Sequence, residues 1–202
     1  VRHVILEGPD GGGKSRLAEA ILATYPAVMH AKASHSIRGP VRNLAAWVKD
    51  DIDKMATFET LNVYDRHPII SEPIYGWLCR GNPQPGFLGR LDGTSSGNPW
   101  LSTQRLSLYE HALVVWCIPT LEQCMAAVDP ERDMPGVVDN IEKIHEWYLL
   151  MMRAWGGPSI RYDFTDPKYT RDVLPRTGLF SGAVEFVMEN GHVFQECIDG
   201  PR

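Results

Sequence analysis

Gly8-Pro9-Asp10-Gly11-Gly12-Gly13-Lys14-Ser15 is the stretch that decides the fold. It matches the pattern G-x-x-x-x-G-K-[ST]. It lies between an apolar run, Val4-Ile5-Leu6, and Leu17, Ala20 and Ile21 at helical spacing. Strand, glycine-rich turn and helix are the context that gives the pattern meaning. Glycines at 8, 11, 12 and 13 let successive backbone N–H groups turn inward around a phosphate chain without Cβ clashes. The helix that follows presents its positive end to the same anion. Lys14 brings a point charge to the β- and γ-phosphates, and Ser15 offers a hydroxyl to Mg²⁺.

Working outward, short apolar runs alternate with helical stripes, the pattern of a parallel α/β sheet. Further strands are expected at Val28-Met29-His30-Ala31, at Leu61 to Tyr64, at Ala112 to Ile118 and at Ile160 to Phe164. The fourth is continuously apolar, which fits a strand covered on both faces. Val41, Leu44, Ala45, Val48, Ile52 and Met55 trace one face of a helix opening at Pro40. Val138, Ile141, Ile144, Tyr148, Met151 and Trp155 trace another, read as a core stripe. The Gly- and Pro-rich stretch from Gly81 to Pro99 is too long for an ordinary connection. After Pro167 the pattern fades, and Val184 to Met188 fits a short helix or a strand.

The chain has 202 residues, 44% hydrophobic and 22% charged, which places it among globular proteins of one domain. Twenty Lys and Arg against 25 Asp and Glu give a net charge of -5, the opposite of a duplex-DNA binder, so no polymeric nucleic acid is expected as partner. Cys79, Cys117, Cys124 and Cys197 form no CxxC pair, which suits reduced thiols. No apolar run approaches the roughly 18 residues that span a bilayer. A soluble, cytoplasmic protein without membrane contact is expected.

Asp65-Arg66 closes the expected third strand, at the sheet edge where open α/β folds bind ligands. Arg66 can grip an acceptor phosphate or the transferring group with its planar fork. Asp65 can accept from a sugar hydroxyl or from water on Mg²⁺, or serve as base for a nucleoside 5′-hydroxyl. An ion pair closing a strand is the plain alternative. His67 and His111 have no carboxylate or nucleophile at a recognisable spacing, so structural roles are expected.

Glu7-Gly8-Pro9-Asp10-Gly11-Gly12-Gly13-Lys14-Ser15 resembles the E-G-x-D-G-x-G-K-S loop of thymidylate kinases, and Asp65-Arg66-His67 resembles their D-R-[YH] motif. With Ser71-Glu72-Pro73-Ile74-Tyr75-Gly76, the set is most like phage-encoded members of that group, which would place it in a host cytoplasm. Arg16 stands where these kinases commonly have Thr. The resemblance implies a single P-loop kinase domain over residues 1–202, with a lid near 128–137 and a C-terminal extension at 167–202. It implies a five-stranded parallel sheet in the order 2-3-1-4-5, flanked by helices. ATP would be held by Gly8, Asp10, Gly11, Gly12, Gly13, Lys14, Ser15 and Arg16, with Mg²⁺ at Ser15 and Asp65. Lys14, Asp65, Arg66 and a lid arginine, Arg132, would be catalytic. Asp10, Asp65, Arg66, Tyr75, Gln104 and Arg105 would meet the acceptor, with Arg80, Arg90, Trp77 and Trp100 as further candidates. Pairing as a homodimer would use helices such as that over 41–55.

The expected activity is ATP- and Mg²⁺-dependent phosphoryl transfer to a deoxynucleoside monophosphate, thymidylate first. The alternatives are a deoxynucleoside kinase and a nucleotide-binding regulatory module without turnover. A switch GTPase would carry N-K-x-D where Cys117-Ile118-Pro119-Thr120 stands, and a motor would follow Asp65 with Glu rather than Arg66.

Overall fold

The computed structural model describes residues 3–24, 29–32, 43–57, 62–81, 99–165, 176–180 and 183–187. Among them β1 (His3–Glu7), β2 (Met29–Lys32), β3 (Asn62–Asp65), β4 (Ala112–Cys117) and β5 (Ser159–Tyr162) form one sheet in the order β2-β3-β1-β4-β5. Every pairing in it is parallel: His3 lies opposite Asn62 and Ala112, and Val114 opposite Ser159. The helices are α1 (Lys14–Thr24), α2 (Leu44–Met55), α3 (Pro68–Arg80), α4 (Pro99–His111), α5 (Leu121–Ala127) and α6 (Val137–Ala154). None is long and apolar enough to cross a membrane.

Alternation along the central strands fills two cores. Ile5, Tyr64, Val114 and Trp116 point to one side, where they meet Leu44, Val48, Ile74, Leu108, Ile144 and Tyr148. Val4, Leu6, Val63, Leu113 and Val115 point to the other, against Leu17, Ala18 and Ile21 of α1. Both faces are dry, which is why the strands read as unbroken apolar runs.

Local chemistry sets the helix boundaries. Asn43 caps α2 by accepting from Ala46 N at 3.2 Å, so the helix opens at Leu44. The expected start at Pro40, with Val41, lies outside the described residues. His67 caps α3, Pro68 takes the first helical position, and Gly81 ends the helix in the left-handed conformation at φ 76°. Strand limits also move. β3 ends at Asp65, as expected, but β4 stops at Cys117; Ile118 N then donates to Tyr162 O at 3.0 Å. β5 ends at Tyr162 because Asp163 turns its carboxylate onto Thr165 N at 2.9 Å.

Val138 is exposed and Val137 is buried in its place, so the α6 stripe begins one residue earlier than its spacing suggested. After β5 lies an antiparallel ribbon of β6 (Arg176–Phe180) and β7 (Ala183–Val187), which assigns 184–187 to a strand; β6 gave no pattern. Val28, Leu61, Met188, Cys197, Arg90 and the stretch 82–98 lie outside the described residues, as does most of 167–202. Cys79, Cys117 and Cys124 are free thiols.

Ile5 is fully buried on the middle strand of the sheet. Ile5→Ala is expected to cost about 2–5 kcal/mol of unfolding free energy, read by urea denaturation.

Candidate active site

β1 and β3 lie side by side and run the same way, so the turns after Glu7 and after Asp65 emerge together. The first turn is forced against the end of β4. A Cβ at Gly8, whose φ is 150°, would stand 2.1 Å from Cys117 O, and one at Gly13, at φ 83°, would stand 2.8 Å from the Phe164 ring. No side chain fits either place. Gly12 N donates to Pro9 O at 3.2 Å, and α1 opens at Lys14 with its leading N–H groups beyond intrahelical acceptors. Lys14 is buried and folds back on the loop, donating to Gly8 O at 3.1 Å and Pro9 O at 2.6 Å. Burial lowers its pKa, and the nearby Arg66 charge lowers it further.

The second turn places Arg66 in the left-handed region at φ 69°, the one non-glycine with positive φ among the described residues. Arg66 N donates to Leu6 O at 3.0 Å. Its guanidinium donates from Nη2 to Asp10 Oδ1 at 2.8 Å and from Nη1 to Tyr148 Oη at 3.0 Å and to Tyr75 Oη. The carbon Cζ sits 4.5 Å from the Tyr75 ring centroid. Tyr75 Oη in turn donates to Asp10 Oδ2 at 2.7 Å. Burial opposes both charges, yet Arg66 and Lys14 hold Asp10 below the ordinary carboxylate range, and Asp10 holds Arg66 well above its own. Burial pushes both tyrosine pKa values up, so their hydroxyls stay protonated donors.

Ser15 Oγ donates to Asp65 Oδ2 at 3.2 Å. A hydroxyl and a carboxylate this close suit a hard cation that keeps most of its water and leans on phosphate oxygens, as Mg²⁺ does. The described residues hold no cluster of three or more His, Cys, Asp or Glu that would suit a metal bound wholly by protein.

Of the expected residues, the fold therefore unites Asp10, Lys14, Arg66 and Tyr75, and pairs Ser15 with Asp65. Gly11, Gly12 and Gly13 shape the loop, and Arg16 is exposed in the first turn of α1. Gln104 and Arg105 are buried on α4; burial lowers the Arg105 pKa, and Tyr109 partly offsets this. Arg105 is thus no surface charge. Nor is Arg80, which donates to the fully buried Glu72 at 2.5 Å and to Met134 Sδ at 3.6 Å. Trp77 is exposed, and Trp100 packs on the core. Arg132 is exposed between α5 and α6, donating to Ala127 O at 3.0 Å and Asp133 Oδ1 at 3.5 Å.

Two participants were given no role from the sequence. Glu7, fully buried, accepts from His67 N at 2.6 Å and from Tyr148 Oη at 3.0 Å; burial pushes its carboxyl from 4.5 up to about 7. Tyr148 was hidden in the core stripe of α6. His67 also has a carboxylate neighbour after all: its Nε2 lies 3.4 Å from Asp51 Oδ2, while Nδ1 accepts from Ile69 N at 3.3 Å. Helical folding of α2 supplies Asp51, which no local spacing around His67 reveals.

No family model matches the chain, and no curated protein matches it. Solved structures do. The YorR protein of Bacillus subtilis, solved in complex with phosphorylated GDP, is similar at 16% identity over 81% of this chain and 86% of that one, with a TM-score of 0.56. Shikimate kinase from Acinetobacter baumannii, solved with shikimate, shows 13% identity over 86% and 89%, TM-score 0.48. Deoxyadenosine kinase from M. mycoides with bound dCTP shows 12% identity over 83% and 94%, TM-score 0.44. What the chain shares with YorR is the fold.

Linkage gives the site a pH signature. Glu7 titrates higher folded than unfolded, so the folded chain keeps a proton that the unfolded chain releases above 4.5. Its contribution to stability is complete below that value and is lost as pH rises through about 7. Urea unfolding from pH 5 to 7.5 is expected to show stability falling with pH, and Glu7→Gln is expected to flatten that decline.

Proposed function

We propose that the chain transfers the γ-phosphoryl group of ATP to a deoxynucleoside monophosphate, with Mg²⁺. The observation that carries this reading is the Asp10–Arg66–Tyr75 cluster built beside a phosphate loop. Loop amides and Lys14 would bind the triphosphate. Arg66, fixed before any ligand arrives, would face the charge between donor and acceptor. An acceptor phosphate oxygen attacks the γ-phosphorus, the bond to the β,γ-bridging oxygen breaks, and ADP leaves. Mg²⁺, held by Ser15 and by Asp65 directly or through water, would neutralise charge on the β- and γ-phosphates. Arg132 enters this reading as a lid residue that must release Ala127 O before it can reach the transferring group.

A monophosphate acceptor fits because its oxygen is already ionised near neutral pH and needs no base. The carboxylates at the site are engaged elsewhere: Asp10 by Arg66 and Tyr75, Asp65 by Ser15, Glu7 by His67 N and Tyr148. The second reading is a deoxynucleoside kinase. It draws on the Glu7 carboxyl near 7, the range of a general base. Its full burial weighs against it.

A panel of natural and modified deoxynucleosides and their monophosphates, with ADP release as readout, separates the two. Turnover is expected with a monophosphate; turnover with nucleosides alone would contradict the reading. Lys14→Ala is expected to lower kcat by about 10²–10³-fold or more with an unchanged far-UV circular dichroism spectrum. Retained rate would count against phosphoryl transfer at this loop.

A further inference from the structure

We infer that Glu7 is a positioning residue for Arg66: its buried carboxylate anchors the main chain just past Arg66 and, through Tyr148, the guanidinium itself. This rests on the phosphoryl-transfer reading above.

The geometry is a two-armed clamp. Oε1 of Glu7 accepts from His67 N at 2.6 Å, and Oε2 accepts from Tyr148 Oη at 3.0 Å. The same Tyr148 oxygen accepts from Arg66 Nη1 at 3.0 Å. One arm fixes the peptide that leaves Arg66; the other fixes the end of its side chain. Arg66 needs both. Its φ of 69° is a conformation that residues with a Cβ adopt at a cost, and it persists only where the surroundings impose it. Leu6 O receives Arg66 N, and Glu7 receives the very next amide, so two consecutive residues of β1 hold two consecutive amides of the turn.

The carboxylate is a poor choice for stability. Its neighbours on β1, Val4, Ile5 and Leu6, are as fully buried as it is, in a dry strand. Burial pushes its carboxyl up to about 7, the mark of a place where the charged form is costly. A leucine there would escape that cost but would leave His67 N and Tyr148 Oη without their acceptor. The clamp gives a reason to keep the acid that packing does not.

Full-length wild type, Glu7→Leu, Glu7→Gln and Tyr148→Phe test this. Amide exchange read by mass spectrometry without nucleotide comes first, because it needs no turnover. Glu7→Leu is expected to stay folded, melting somewhat below wild type, and to exchange the His67 amide at least about 10-fold faster, with β4 unchanged. Glu7→Gln keeps one acceptor and should fall between. In turnover with the monophosphate acceptor, Glu7→Leu should lower kcat about 100-fold and Tyr148→Phe about 10-fold, with KM for ATP within about 3-fold of wild type. A leucine variant that unfolds assigns the carboxylate to the fold and overturns the proposal. So does a leucine variant with wild-type kcat. Lost transfer with unchanged His67 exchange would make Glu7 a chemical participant and overturn it too. If wild type itself transfers to no acceptor, the kinase reading fails, and the exchange measurement still decides whether Glu7 holds the turn.

Discussion

The ion pair between Arg66 and Asp10 is the contact on which the rest of the site depends. It joins the turn after β1 to the turn after β3, at 2.8 Å, with both side chains mostly shielded from water. Only a sheet that sets those strands side by side in parallel brings the partners together. Neither charge is tolerable there alone, and removing one partner of a shielded pair typically costs about 3–5 kcal/mol. Tyr75 and Tyr148 complete the arrangement by lending hydroxyl oxygens to the guanidinium. Their rings meet edge to face, 6.3 Å between centroids, so the tyrosines brace each other as well. An arginine held this way has lost its freedom before a ligand arrives, which is what makes a charge clamp effective in a transition state.

Charge balance explains the state of the loop. Lys14 and Arg66 are close enough that Arg66 depresses the lysine pKa, second only to burial. Lys14 meets the loop's own carbonyls in return, at Gly8 and Pro9. A polyphosphate entering the loop would supply the negative charge that relieves this repulsion. Binding and electrostatic relief are then the same event, and the loop needs no basic surface around it. The overall charge of -5 is compatible with holding an anion for that reason.

What the sequence made legible was whatever a residue type had to do within a short span. The glycines, Lys14, Ser15 and the Asp65-Arg66 pair stood out because phosphate chemistry needs them at close spacing. The alternation of apolar runs and helical stripes announced a parallel α/β sheet for a similar reason. What stayed hidden was built by distance. Tyr148 stands 141 residues from Glu7, and at helical spacing its ring looks like any core aromatic. Asp51 reaches His67 only because α2 packs beside α3. Nothing in the local sequence shows that the fold buries Glu72 beside Arg80 and turns Arg105 inward. Of the two strands in the ribbon, β7 overlaps a stretch that fitted a helix or a strand alike, and Arg176-Thr177-Gly178-Leu179-Phe180 of β6 has neither an apolar run nor an alternation to mark it.

Isothermal calorimetry of the folded full chain against ATP with Mg²⁺ tests the central claim most directly, since an occupied phosphate loop is the premise of every step above. The account predicts one site per chain with a dissociation constant of about 1 µM to 1 mM, and heat that shrinks when Mg²⁺ is withheld. A folded chain that gives no heat with ATP and Mg²⁺ at millimolar concentration would contradict it.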